Sequence, residues 1–288
     1  MLHVICMSSF YSLSVNSFCN KCEAGFKKSH LRRRSFSLFN PKINASMHFL
    51  TVASRVRVIQ PLLQGEATRD GPVCPSILKN QMDILTDEFA GYKQQDAHEF
   101  LAKLIDLLHD ELANAKDTKG EKTELELPTD KYFRLDVDVC LTCNSCKYSR
   151  CKEEFHRYLS VEVGTNQNQE GVEDQWSIGV GLQRFFQPEM RELLCEQCEE
   201  GKSVPRTMTI KSRPKALLVH LKHFTAHMHN GEMTSRKSET FVQSENSVSL
   251  ETFTEEASKN GDAYELRGVV RHIGDTSKSG HYTADVLR

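Results

Sequence analysis

Ten of the 288 residues are cysteine, and four stand as two Cys-x-x-Cys pairs: Cys143 and Cys146 in CLTCNSCKYS, Cys195 and Cys198 in LLCEQCEEGK. Two intervening residues let both sulfurs of a pair point at one centre, so two pairs can make a tetrahedral zinc site of four thiolates. Such a shell has no open position, which makes the metal structural. The 48 residues between the pairs are too many for a small autonomous finger. They suit a clip that ties two distant hairpins of a larger fold. Cys140 and Cys143 have the same spacing and Cys151 lies nearby, so the residues alone leave the membership of the first pair open.

The second candidate for chemistry is His281. It follows the polar loop GDTSKSG and opens the alternating segment HYTADVL. Tyr282, Ala284 and Val286 share one face; His281, Thr283 and Asp285 share the other. A histidine at the mouth of a strand after a glycine-bearing loop can serve as a general base. Asp285 is a poor partner for it, because four strand residues set the two about 13 Å apart.

Several elements must position these residues. GYKQQDAHEFLAKLIDLLHDEL carries apolar residues at Ala97, Phe100, Leu101, Leu104, Leu108 and Leu112, the spacing of an amphipathic helix. Asp96 and Glu99 at its start form a capping pattern. Residues 113–130 read as a linker. Phe133, Leu135, Val137 and Val139 alternate with polar residues, as in a half-buried strand. LSVEV repeats the pattern at Leu159, Val161 and Val163. Residues 164–181 read as a loop and 182–194 as a short helix containing Pro188. KALLVHLKHF is a buried strand, 226–262 an exposed hydrophilic insertion, and YELRGVVRHI and HYTADVL the last two strands. A helical part followed by a strand-rich part gives an α+β fold, with two sub-domains and a cleft between them.

Composition narrows the function. The chain is 39% hydrophobic and 26% charged with a net charge of −2, which is ordinary for a globular protein. No apolar run reaches the roughly 18 residues of a membrane-spanning helix. Residues 1–60 differ: nine Lys/Arg against one acid (Glu23) give +8, while the remaining 28 basic and 38 acidic residues give −10. This segment reads as an atypical basic tail outside the main fold, and its acid-poor, Ser- and Arg-rich character leaves organelle targeting open. Ten cysteines without a clear secretory signal point to a reducing compartment, cytoplasm or nucleus.

Three segments resemble the ubiquitin-specific proteases, the papain-like cysteine deubiquitinases. FAGYKQQDAHEFL is similar to their glutamine-and-aspartate box. The two cysteine pairs, with Ser149 and LSVEV after the first, resemble their zinc clip, and that placement selects Cys143 and Cys146. YELRGVVRHIGDTSKSGHYTADV is similar to their histidine box, and PKALLVHLKHF to a buried strand in which His223 stands where arginine is usual. The resemblance runs from about residue 75 to 288 and implies a thumb, palm and zinc-bearing fingers. It implies hydrolysis of the isopeptide bond at the ubiquitin C-terminus, with His281 as base and a cysteine as nucleophile.

The resemblance is incomplete at both ends. No segment matches the family's nucleophile box; Cys19, in NSFCNKCEAG, is the candidate by distance, but Ser14 stands where that box has asparagine. The third catalytic residue would fall beyond position 288. The expected domain is therefore a partial one over 61–288. For substrate binding the resemblance implies Gln95, Asp96 and Glu99 beside the basic ubiquitin tail, and His272 and Tyr282 beside its last glycines. The implied partners are ubiquitin and ubiquitinated proteins, without nucleic acid or membrane. Two alternatives are an inactive ubiquitin-binding pseudoenzyme and a zinc module for nucleic acid. The acids at Glu189, Glu192, Glu196, Glu199 and Glu200 around the second cysteine pair oppose the latter.

Overall fold

The computed structural model describes residues 2–8, 76–91, 95–117, 126–164, 176–199, 203–229, 232–238, 240–243, 245–254, 263–276 and 279–286. Contacts divide the chain into two units, one built on 1–9 and 130–271 and the other on 10–129 and 272–286.

The first unit is strand-rich. It begins with β1 (Leu2–Ser8), which lies inside a sheet, so this part of the segment expected to stand outside the fold contributes to it. After a short helix at Pro128–Phe133 come β2 (Leu135–Thr142), β3 (Ser149–His156), β4 (Leu159–Glu162) and β5 (Trp176–Ser177). A helix at Ile178–Phe186 leads to β6 (Glu189–Arg191), β7 (Val204–Ser212), β8 (Ala216–Lys222), β9 (Phe224–His229) and β10 (Glu232–Lys237). β11 (Val242–Gln243), β12 (Ser247–Ser249) and β13 (Ala263–Thr276) follow.

One sheet runs β12-β13-β1-β8-β4 and a second runs β3-β2-β7-β6. β8 is parallel to both neighbours, with Cys6 beside Val219 on one side and Leu159 beside Val219 on the other. Six consecutive residues of β8 are buried, as a strand covered on both faces requires. β2 shows the other pattern: Leu135, Val137 and Val139 are buried and the residues between them half-buried. Phe133, read with that strand, ends the preceding helix instead.

The core of this unit joins Leu135, Val137, Leu159, Val161, Trp176, Leu182, Leu217, Val219, Leu250 and Tyr264. Tyr264 is fully buried and its hydroxyl donates to the Pro214 carbonyl at 2.7 Å, so no polar group is left stranded there. Two expectations change here. The helix expected over 182–194 runs Ile178–Phe186, because Ser177 Oγ accepts from Val180 N at 3.3 Å and starts it early. It stops before Pro188, with Gln187 extended as a residue preceding proline must be. The insertion expected over 226–262 also supplies core: Val248 and Leu250 are buried, and Phe253 stacks on Phe186 at 4.6 Å.

The second unit holds α1 (Ser76–Leu85), a 3-10 turn at Asp87–Phe89 and α2 (Ala97–Asp117). Asp96 Oδ1 accepts from the amides of His98 and Glu99 at 2.6 and 2.9 Å, which is the expected cap. Leu112 is buried with Leu104 and Leu108 of the predicted stripe, against Leu78, Leu85, Leu107 and Leu127. The helix continues five residues past Leu112, into the expected linker. The end of β13 from His272 and β14 (Ser279–Val286) form a hairpin in this unit. Much of the loop expected before His281 is therefore strand. Among the described residues no helix is long and apolar enough to cross a membrane.

Gly181 faces the core where a Cβ would lie 2.7 Å from Trp176 Cη2. Trp176 is 1% exposed and cannot swing away. Gly181→Ala should therefore cost about 1–3 kcal/mol of unfolding free energy, read from urea denaturation, despite alanine's better helix propensity. An equal or higher midpoint would contradict this packing.

Candidate functional site

The two cysteine pairs sit on two separate turns of the second sheet. Cys143 and Cys146 lie in the β2–β3 turn, and Cys195 and Cys198 in the β6–β7 connection. Each turn has the same backbone form. Lys147 N donates to the Cys143 carbonyl at 3.0 Å, and Glu199 N to the Cys195 carbonyl at 2.9 Å. Lys147 and Glu199 both take positive φ, 63° and 56°. Four residues after the first cysteine, the chain thus turns back so that both sulfurs face one point.

The four sulfurs lie within 4.8 Å of one another, with Cys143 to Cys198 at 3.8 Å and Cys146 to Cys195 at 3.6 Å. A tetrahedron of thiolates about 2.3 Å from zinc has edges of about 3.8 Å. The four cysteines thus fit one metal ion with four sulfur ligands, as the spacing predicts. Electrostatics agree. The Cys146 amide donates to the Cys143 sulfur and holds that thiol down to about 6, whereas Cys146, against the lowering effect of the Tyr148 backbone, is pushed up to about 12 by desolvation and by Cys195, Cys143 and Cys198. Crowded thiols cannot all ionise without a cation among them, which is what a divalent metal supplies.

Cys140 is not a ligand. It pairs across the ladder with Cys151, Cα to Cα 4.1 Å, and the two are disulfide-bonded. The residues alone left Cys140 open as a partner of Cys143; the ladder opposes it to Cys151 instead. Cross-strand opposition brings the two thiols together whatever their sequence separation.

The histidine-box residues gather on the β13–β14 hairpin. His281 is exposed at the start of β14. His272 is 7% exposed and meets the Tyr282 ring edge-on at 5.2 Å. A Cβ on Gly280 would lie 2.1 Å from His272 Nε2 and 2.7 Å from the Ile273 carbonyl, so only glycine fits there. The residues on both sides of His281 are therefore pinned against His272, while the His281 ring stays open to solvent. Asp285 lies further along the same strand.

Gln95 Nε2 donates to the Glu88 carbonyl at 3.2 Å and ties the start of α2 to the preceding turn. Asp96 is 1% exposed and committed to the cap, whereas Glu99 is exposed. Desolvation, Asp96 and Glu88 all raise the Glu99 carboxyl above the usual range. Cys19, the candidate nucleophile, lies outside the described residues.

His223, between β8 and β9, is pushed down to about 4, chiefly by burial and also by the Lys237 ammonium. The position is thus held neutral where the resembling family carries a fixed positive charge.

The chain matches solved ubiquitin-specific protease domains in fold. One is the SAGA DUB module Ubp8/Sgf11/Sus1/Sgf73 bound to ubiquitin aldehyde, with a TM-score of 0.59 and 23% identity over 73% of this chain and 45% of that one. Another, the yeast SAGA DUB module with an Sgf73 mutant, has a TM-score of 0.61 and 20% identity, covering 82% and 53%. The fold is that of the ubiquitin-specific protease catalytic domain. The model of the ubiquitin carboxyl-terminal hydrolases matches residues 6–288, and the chain belongs to that family. Similar relatives include ubiquitin carboxyl-terminal hydrolase 23 of Arabidopsis thaliana, 24% identical over 74% of this chain and 24% of that protein. Ubiquitin carboxyl-terminal hydrolase 8 of Saccharomyces cerevisiae is 25% identical over 69% and 44%. The chain thus spans less than half the length of these two relatives.

Two outcomes follow. The purified chain should carry about one zinc per molecule, and Cys195→Ser should lower zinc content and increase proteolysis of the β2–β3 hairpin. Full zinc retention in that variant would contradict the assignment. Second, because the folded-state pKa of His223 lies below the ordinary 6.5, the unfolded chain takes up a proton between pH 6.5 and about 4 that the folded chain refuses. Stability should fall as pH drops through that window. His223→Gln should flatten the decline in urea titrations run across it; an unchanged slope would remove His223 as its source.

Proposed function

We infer that this chain is a catalytic region of a thiol-dependent deubiquitinase, acting on isopeptide bonds at the ubiquitin C-terminus, with structural zinc in its fingers. The single observation that carries the reading is the β13–β14 hairpin. It fixes the backbone on both sides of His281 through His272 and leaves the imidazole exposed. Family membership supplies the reaction class, and the neighbouring SAGA module is bound to ubiquitin aldehyde.

In this reaction a cysteine thiolate attacks the carbonyl carbon of ubiquitin's last glycine. His281 takes the thiol proton and gives it to the departing lysine amine. Water then attacks the thioester while His281 removes its proton, and the C–S bond breaks to release the ubiquitin carboxylate and return the cysteine thiolate. Cys19 is the proposed nucleophile. Glu99 and the turn carrying Gln95 meet the basic ubiquitin tail, while Asp96 keeps that turn in place. His272 and Tyr282 hold the strand beside the tail's last glycines. The four thiolates of Cys143, Cys146, Cys195 and Cys198 hold zinc, which fixes the turns of the second sheet and takes no part in bond cleavage.

The test is reaction of the full chain with ubiquitin bearing a C-terminal thiol-trapping electrophile, read by intact mass and peptide mapping. A single adduct at Cys19 is expected, slowed about 10²–10⁴-fold by His281→Ala. An adduct elsewhere would move the nucleophile. Ubiquitin binding without any adduct would replace an enzyme by a ubiquitin-binding module.

A further inference from the structure

The zinc site uses both cysteines of the β2–β3 turn, yet the stem of the same hairpin holds two more. Cys140 and Cys151 occupy opposed positions on the ladder and are disulfide-bonded. Antiparallel strands bring opposed residues to about 4.5 Å, Cα to Cα, at their non-hydrogen-bonded positions. Here the separation is 4.1 Å, so the ladder itself holds the thiols within bonding range.

Access favours exchange. Cys151 is exposed and Cys140 half-buried, so a thiol in solution can reach the Cys151 sulfur. The bond spans 11 residues, and the turn it encloses carries Cys143 and Cys146. The link thus closes the stem of the turn that carries two of the four candidate ligands, and so limits how far the two strands below that turn can part.

We propose that Cys140 and Cys151 form a thiol-reversible staple that governs how firmly the fingertip hairpin retains zinc, an inference that rests on the zinc reading above. The agent is a small monothiol and its disulfide, such as reduced and oxidised glutathione. In opening, a glutathione thiolate attacks Cys151 Sγ, the protein S–S bond breaks, and Cys140 leaves as a thiolate that takes up a proton. A second glutathione thiolate then attacks the mixed disulfide and releases Cys151. Two electrons pass from two glutathiones to the protein, leaving one oxidised glutathione. Closing is the reverse.

The test uses the full, zinc-loaded chain, poised anaerobically in reduced or oxidised glutathione and then mixed with a chromogenic chelator. Zinc release is followed by absorbance, and links are mapped by non-reducing peptide analysis. At the oxidised poise the 140–151 link should form and zinc release should slow about 10-fold, the size of effect that groups outside the ligand shell have on metal retention. The double variant Cys140→Ser, Cys151→Ser should release zinc at one rate at both poises, which separates the staple from any direct oxidation of the zinc thiolates. Equal rates in the parent chain with the link formed would overturn the proposal. So would links among Cys143, Cys146, Cys195 and Cys198 in place of 140–151. A parent chain that purifies without zinc would overturn the zinc reading and the staple's role together, a result distinct from equal release rates.

Discussion

β8 (Ala216–Lys222) has little water on either face, so its backbone groups must be satisfied within the sheet and its side chains by packing alone. Parallel neighbours on both sides meet the first demand, β1 on one edge and β4 on the other. The second demand draws in residues far apart in the chain. Leu217 and Val219 join a core with Trp176, Leu182, Leu250 and Tyr264. The one buried polar side chain on the strand, His220, is accommodated by a 2.7 Å hydrogen bond to Ser160 on β4. The burial of this strand thus dictates what its neighbours supply, including a short strand from the chain's first residues.

That dependence explains which parts of the architecture the amino-acid order reveals. Patterns that act over a few residues are readable: the Leu112 stripe, the Asp96 cap and the alternation of Leu135, Val137 and Val139 all appear where spacing places them. Features set by distant partners are not. Nothing local in Leu2–Ser8 marks it as a central strand, since its neighbours in the sheet lie beyond residue 215. The helix at Ile178–Phe186 is hidden by Gly179 and Gly181, which read as loop. Gly181 is there because Trp176 occupies the space a side chain would need. Leu250 is fully buried within a segment whose average polarity predicts exposure.

The candidate metal site divides the same way. Cysteine spacing reveals the four ligands, because two intervening residues constrain two sulfurs locally. The chirality of the turns does not follow from residue type. Lys147 and Glu199 adopt positive φ without being glycine or asparagine, at a cost of about 1–2 kcal/mol per residue. Matching hydrogen bonds back to Cys143 and Cys195 recover part of that cost, and a cation held by the four sulfurs would supply the rest. The disulfide in the stem was invisible for a different reason: only the β2–β3 register places Cys140 opposite Cys151.

The candidate metal site and the proposed general base make opposite demands on their surroundings. A four-thiolate metal site works when its coordination shell is closed; Cys143 and Cys195 are buried, Cys198 is half-buried and Cys146 is exposed. A general base must present a free ring to a substrate while its backbone stays still. The β13–β14 hairpin reconciles these requirements by moving the burial one residue to each side. Gly280 lies against His272 with no room for a side chain, and Tyr282 packs on the same ring from the following position. Orientation is therefore fixed by neighbours, and His281 itself remains exposed. Placing a larger residue at 280 would force the strand off His272 and turn His281 with it, so the glycine before the histidine is a steric requirement of the site as much as of the turn.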